Sequence, residues 1–187
     1  MKSKKKRIDS KGGNTRRVRY SVAMSLDGFI AGPKGEFDWI VMDPAIDFAA
    51  FFKEFDTVLM GRRTFELVQQ GGAGQMKGTE TIVFSRTLRP GDHPTVTIST
   101  DGAATIAAIK AKPGKDIWLF GGGGLFRSLL DANLVDLIEV TVIPILLSEG
   151  VPLLPAGARS PSLRLIANKT LPSGIVSLTY GLHDGTH

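Results

Sequence analysis

The feature that most constrains this chain is a pattern repeated along it: a short apolar run stops at a glycine or a polar pair, and a helix-prone stretch begins there. Thr57-Val58-Leu59-Met60 ends at Gly61 and precedes a helix from Arg62 to about Gln69. Thr81-Ile82-Val83-Phe84 ends at Ser85-Arg86, and Ile117-Trp118-Leu119-Phe120 ends at Gly121-Gly122-Gly123-Gly124 before a helix from Leu125 to Ala132. Apolar runs this short and continuous suit strands buried on both faces, and strands alternating with helices predict a parallel sheet with helices on either side. Val18 to Met24 and Thr95 to Ile98 supply further strands, and Thr100 or Asp101 caps an alanine-rich helix to about Ala111. Asp43-Pro44 reads as a helix start that would place Phe48, Phe51, Phe52 and Phe55 on one buried face. After a strand at Leu137 to Val142, Pro144 to Pro155 reads as a loop, and Leu163 to Leu171 with Ile175 to Leu182 as a hairpin across Pro172-Ser173-Gly174. The expected architecture is α/β in three layers, with a mainly parallel central sheet and antiparallel C-terminal strands.

Several function classes drop out on composition. The chain has no cysteine, which excludes disulfides, thiolate zinc sites and a Cys nucleophile. Its histidines are His93, His183 and His187, too few and too terminal for a buried metal cluster, so no metal is expected. No apolar run is long enough to cross a bilayer, and the polar, basic start lacks the apolar stretch of a secretory signal, so a cytoplasmic location is expected. The net charge of +5 is unevenly placed: residues 1–19 hold nine Lys or Arg against Asp9, whereas the rest holds 14 basic and 17 acidic residues. A nucleic-acid partner is therefore not expected, and residues 1–16, with Lys4-Lys5-Lys6-Arg7, read as a solvated tail ahead of one domain at 17–187.

Four strand-to-loop junctions carry candidate chemistry, because ligands of α/β sheets bind outside the carboxyl ends of the strands. At Gly61-Arg62-Arg63-Thr64, two guanidiniums and a hydroxyl sit where a helix offers free N–H donors, which suits a phosphate, although taken alone two solvated arginines and a capping Thr64 explain the segment equally well. Ser85-Arg86 suits a ribose 2′-phosphate, although taken alone a plain turn explains it more simply. Four consecutive glycines at 121–124 are costly in chain entropy unless something approaches their backbone closely. A pyrophosphate would do so, and Gly122 and Gly123 are read as bare for its sake rather than for the fold. The spaced glycine fingerprint of dinucleotide-binding folds is absent. The fourth junction runs from Ala23 to Ile30, with Glu36-Phe37-Asp38-Trp39 beyond it. There Asp27 and Asp38 are candidate acids, each also readable as a turn residue, and Trp39 could wall a planar heterocycle.

Val58 to Thr64 resembles the NADPH-phosphate segment of dihydrofolate reductases, Ile117 to Phe126 their glycine-rich cofactor loop, and Ser85-Arg86 the segment that meets the 2′-phosphate. Ser25-Leu26-Asp27-Gly28-Phe29-Ile30-Ala31 and Pro144 to Leu153 are similar to the opening and late loops of the reductase domain of riboflavin biosynthesis, a branch of the same fold. The chain departs from dihydrofolate reductases at Asp47, one residue beyond their acidic position, and at Met76-Lys77-Gly78, where they carry Pro-Gly-Arg. It departs from the riboflavin branch at Arg62-Arg63, where that branch usually has small residues. The resemblance implies an NADPH-dependent reductase of the 5-amino-6-(5-phosphoribosylamino)uracil reductase type. Ala23, Gly61 to Thr64, Ser85, Arg86 and Gly121 to Leu125 would hold the cofactor, and Ser25 and Trp39 the small-molecule substrate. Asp27, Asp38 and Asp47 are the candidate proton donors. The resemblance also implies a homodimer. A dihydrofolate or pterin reductase, and a non-catalytic NADP-binding protein of the same fold, are the alternatives.

Overall fold

The structure is a computed structural model that describes residues 16–71, 78–157 and 162–182. The basic run Lys4 to Arg7, the segment Gly72 to Lys77, His183 and His187 lie outside the described residues.

Six strands are parallel: β1 (Val18–Ser25), β3 (Phe55–Gly61), β4 (Glu80–Phe84), β5 (Thr97–Ser99), β6 (Asp116–Gly121) and β7 (Leu137–Ile143). With β9 (Leu163–Thr170) and β10 (Val176–Leu182) they form one sheet in the order β5-β4-β3-β6-β1-β7-β10-β9, in which β10 runs antiparallel to both of its neighbours. The helices are α1 (Phe48–Phe52), α2 (Arg62–Gln70), α3 (Gly102–Lys110) and α4 (Gly123–Asp131). The expected fold class is the observed one.

Side-chain alternation along the strands splits the core into two layers. Val18, Tyr20, Leu59, Ile117 and Leu119 pack against Ile106 and Ile109 of α3 and Phe126, Leu129 and Leu130 of α4. On the other face Val58, Met60, Val83 and Trp118 pack against Phe65 of α2 and Phe51 of α1. At roughly 1.5–3 kcal/mol for each large apolar side chain removed from water, these layers fix the sheet and hence the junctions at its carboxyl edge.

The structure differs from the sequence-based expectation at four places. Asp43 does not cap a helix: its carboxylate accepts from Ala45 N in a turn and from the Ser173 hydroxyl, and the cap of α1 is Asp47, which accepts from Ala50 N. The four phenylalanines therefore do not share a helix face, because α1 is only five residues long and Phe55 already belongs to β3. Phe51 and Phe55 meet instead as rings around Trp118, 5.2 and 5.8 Å from it. Arg16, counted with the tail, is 6% exposed, ion-paired with Asp56 and donating to Thr57 Oγ1 at 2.7 Å, so the folded part includes it. The loop from Pro144 also holds a strand that its length hid: β8 (Val151–Pro152) pairs antiparallel with β2 (Phe29–Ala31).

Cations at the two ends of the parallel strands differ in their partners. At the amino ends Arg16 pairs with Asp56, Arg17 with Asp116, Arg19 with Glu54 and Glu139, and Lys110 with Asp136. At the carboxyl ends stand Arg62, Arg63 and Arg86; Arg62 reaches Glu66 at 2.9 Å, while Arg63 and Arg86 have no partner among the described residues.

Candidate functional site

Because β4, β3 and β6 are neighbours in the sheet, the first three junctions lie side by side. They border an open cleft of about 550 Å³ that brings together Gly61 and Arg62, Ser85 and Arg86, and Gly124 and Leu125. Ser99, Thr100, Gly102 and Ala103, at the junction of β5 and α3, form a further wall. In the sequence Thr100-Asp101 reads only as a helix cap. Its position between a strand end and a helix start was the same signal used for the other three junctions.

Each polar group at the cleft has its own local reason for being there. Ser85 is 8% exposed, and its Oγ accepts from Thr87 N and Leu88 N at 3.1 and 3.0 Å. Its lone pairs are spent on the turn, which is the plainer of its two readings, and that turn presents Arg86 exposed at the rim. Arg62 is tied across one helical turn to Glu66 and is 44% exposed, a weak pairing that an anion can displace. Arg63 and Thr64 follow it in the first turn of α2 without lining this cleft, and Thr64 lies instead beside the glycine loop.

The four glycines have separate causes. Gly121 has φ +128°, a conformation that favours glycine. A Cβ on Gly122 would stand 3.3 Å from Thr64 Oγ1, so bare backbone here lets the β6 junction approach the start of α2. Gly123 was expected to be bare for a ligand, and the structure corrects this. A Cβ there would lie 2.8 Å from the carbonyl oxygen of Pro152 and 3.1 Å from Pro155 Cδ, so the fold itself excludes it. Gly124 has nothing within 4 Å of its would-be Cβ and opens directly on the cleft. It lies in the first turn of α4, which starts at Gly123 rather than at Leu125 and leaves its first N–H groups without intrahelical partners.

A second lobe adjoins the carboxyl ends of β1 and β7. Ala23, Trp39, Ile46 and Ile145 pack on Ile143, Leu171 and Ile175, which holds the 36–46 segment against these strand ends. The Trp39 ring is fixed by its Nε1–H donating to the Glu36 carbonyl at 3.2 Å. Ser25, expected to meet substrate, is fully buried; it donates to Asp27 at 2.6 Å and accepts from Phe29 N at 3.0 Å, so its hydroxyl serves the turn rather than a ligand. Asp27 also accepts from Leu147 N and, at 2.7 Å, from Ser148 N. The Ser25 hydroxyl first, then these backbone donors, hold its carboxyl below the ordinary carboxylate range, the opposite of what a proton donor at neutral pH requires. Asp27 is a clamp on the 144–153 loop, and Asp47 is committed to capping α1. Asp38 is exposed and has no partner among the described residues. Also among these residues, no group of His, Asp or Glu could hold a metal ion, and no helix is long and apolar enough to cross a membrane.

A three-layer α/β sandwich of this strand order is a dihydrofolate reductase-like fold. It aligns with the Enterococcus faecalis dihydrofolate reductase complexed with NADP(H), at a TM-score of 0.67 and 21% identity over 90% of this chain and 97% of that one. Within that class the chain belongs to the RibD C-terminal domain family, whose model matches residues 16–177. A putative riboflavin biosynthesis protein from Shewanella sp. PV-4 is 27% identical, with a TM-score of 0.78, over 89% of this chain and 99% of that one. The uncharacterized protein YyaP of Bacillus subtilis (strain 168) is 34% identical over 88% of this chain and 94% of its own length. Family and fold together support a function of the reductase type.

Proposed function

We propose that this protein is an NADPH-dependent reductase that passes a hydride to the C=N or C=O carbon of a small heterocyclic or ribosylamino substrate, while a proton goes to the adjoining nitrogen or oxygen. The observation that carries the reading is the cleft at the carboxyl ends of β3, β4 and β5, where Arg86, without a partner among the described residues, stands beside Gly61, Arg62 and the open first turn of α4. The residues fit the cofactor in kind. Arg86 with Arg62 offers guanidiniums for a 2′-phosphate, and among the described residues no carboxylate lines the cleft to accept ribose hydroxyls. Gly124, in the open first turn of α4, offers bare backbone for a pyrophosphate, with Gly122 and Thr64 packed beside it and Arg63 in the adjoining first turn of α2. NADPH, when bound, supplies the hydride. Ala23 and the Trp39 cluster would position the substrate ring, and clamped Asp27 would hold the 144–153 loop as the far wall. Of the three candidate acids Asp38 is the one left free to deliver the proton, directly or through water. Following NADPH oxidation against a panel of pterins, folates and ribosylaminopyrimidines tests the reading. Turnover of any of them supports it, and NADPH binding without turnover of the panel would favour a non-catalytic NADP-binding protein.

A further inference from the structure

The sheet opens in its middle, at the carboxyl ends of its parallel strands. β1 is an inner strand, with β6 on one side and β7 on the other. It pairs with β7 over seven residues, Arg19 to Ser25, but with β6 over only three, Val18 to Tyr20. Burial follows the pairing: Val18 to Ser21 are buried, whereas Val22, Ala23 and Met24 are half-buried although they lie on an inner strand. β6 does not follow β1 past that point because its end is drawn the other way. An extra residue, Phe120, shifts its register against β3, so that Leu119 stands opposite Leu59 and Gly121 opposite Met60.

The parting takes main-chain groups of β1 out of the ladder. Ile117 N donates to the Arg17 carbonyl at 2.8 Å, and Asp136 N, on the β7 side, to the Val18 carbonyl at 2.9 Å. Odd-numbered residues of β1 therefore turn their N–H and C=O towards β6, and even-numbered ones towards β7. Ser21 and Ala23 are the first odd-numbered residues past the last paired position. A side chain takes the Ser21 carbonyl: Trp118 of β6 donates its Nε1–H to it at 2.9 Å, with both groups buried. The indole is 7% exposed and stands among Phe51, Phe55 and Phe120, with ring centroids 5.2, 5.8 and 4.9 Å away. A flexible polar side chain could satisfy the same carbonyl, but a ring wedged among others also fixes where the edge of β1 stands. Two residues on, Ala23 turns its N–H and C=O to the opening, with no strand beside it among the described residues.

The opening lies between the glycine loop at the end of β6 and Ala23 with the Trp39 cluster beside β1. The reducing end of the cofactor and the substrate ring must meet there. Resting on the cofactor reading above, we propose that Trp118 is a positioning residue for the reaction. Its indole N–H latches the Ser21 carbonyl and holds the free edge of β1 at the spacing that admits the nicotinamide end of NADPH. It acts through Ser21 and Ala23 and touches neither reactant.

The test compares NADPH with adenosine 2′,5′-bisphosphate, which carries the 2′-phosphate but no nicotinamide, by equilibrium binding to the full chain. The parent should bind NADPH more tightly. Trp118→Phe keeps a ring in the cluster and removes the N–H. It should lower NADPH affinity by about tenfold, the scale of a hydrogen bond whose loss leaves a buried partner unpaired, and leave bisphosphate affinity unchanged. A purely packing role would lower the thermal midpoint and keep the ratio of the two affinities at the parent value, and an unchanged ratio would overturn the proposal. If Trp118→Phe does not fold, amide hydrogen exchange in the parent decides. Ala23 N–H should exchange faster than Val22 and Met24 N–H, which face β7, and should be slowed by NADPH but not by the bisphosphate. Protection of Ala23 equal to that of its neighbours, or no slowing by bound NADPH, would overturn the proposal. Failure of both nucleotides to bind the parent would overturn the cofactor reading instead, and the opening itself would then stand or fall on the exchange of Ala23 alone.

Discussion

Tyr20 is fully buried and its ring stacks on Phe126 with centroids 3.8 Å apart, yet its hydroxyl finds no hydrogen-bond partner among the described residues. Burial pushes its phenol pKa up, so the group is a neutral, unsatisfied donor in the core. Because an unmade buried hydrogen bond costs about 1–3 kcal/mol, Tyr20→Phe should raise the thermal midpoint by a few degrees, and a fall would show that the hydroxyl is paired. Asp27 makes the opposite case, a polar residue with a surplus of partners. Its carboxyl titrates lower folded than unfolded, so its contribution to stability is present above the ordinary carboxylate pKa and is lost as pH falls through the folded value. Asp27→Asn should therefore be less stable than the parent at neutral pH, with the two melting curves converging in acid below about pH 4. A difference that persists unchanged into acid would mean that ionisation of Asp27 contributes nothing.

At the scale of elements, the glycine run separates two jobs that sequence alone merges. Gly123 is bare because α4 packs against the backbone at Pro152, and Gly124 faces open space in the first turn of the same helix. Gly123→Ala should lower the thermal midpoint, since overpacking a tight contact costs typically about 1–3 kcal/mol. Gly124→Ala should be neutral or slightly stabilising, as alanine is the better helix former, but should weaken NADPH binding by placing a methyl group at the cleft. If Gly124→Ala binds NADPH as the parent does, the first turn of α4 is not part of the cofactor site. The central strands and the order of helices were legible because four-residue apolar runs ending at glycine have few other uses. The α1 region was not, because phenylalanines at helical spacing continue without a break into β3, and nothing in Lys53-Glu54 signals the stop. The β2 and β8 pair was hidden because two and three residues carry no period, and Pro152 reads as loop.

For the whole molecule, sheet order turns scattered dipeptides into a site. Ser85-Arg86 means little in isolation, but β4 stands beside β3, which places Arg86 across one cleft from Arg62 and from Gly124. Sequence could name most of these groups but could not apportion them. Ser25 and Asp27 carried the right motif and proved to be turn and clamp, because which hydroxyl or carboxylate is spent on backbone N–H groups is decided by loops 120 residues apart in the chain. The apportioning by charge also spans the sheet: among the described residues, carboxylates neutralise the arginines at the amino ends of the strands and leave Arg63 and Arg86 unmatched at the carboxyl ends. That imbalance is the physical basis of the central claim, that the cleft binds a phosphate-bearing nucleotide and prefers NADPH to NADH. Thermal midpoints of the full chain and of Arg86→Ala, each titrated with NADPH and with NADH, test it most directly. The account predicts that NADPH raises the parent midpoint at concentrations where NADH does not. It also predicts that Arg86→Ala loses most of the NADPH shift, as removal of a charge-assisted contact of about 1.5–3 kcal/mol implies, with little change for NADH. Equal shifts from the two nucleotides in the parent, or an undiminished NADPH shift in Arg86→Ala, would contradict it.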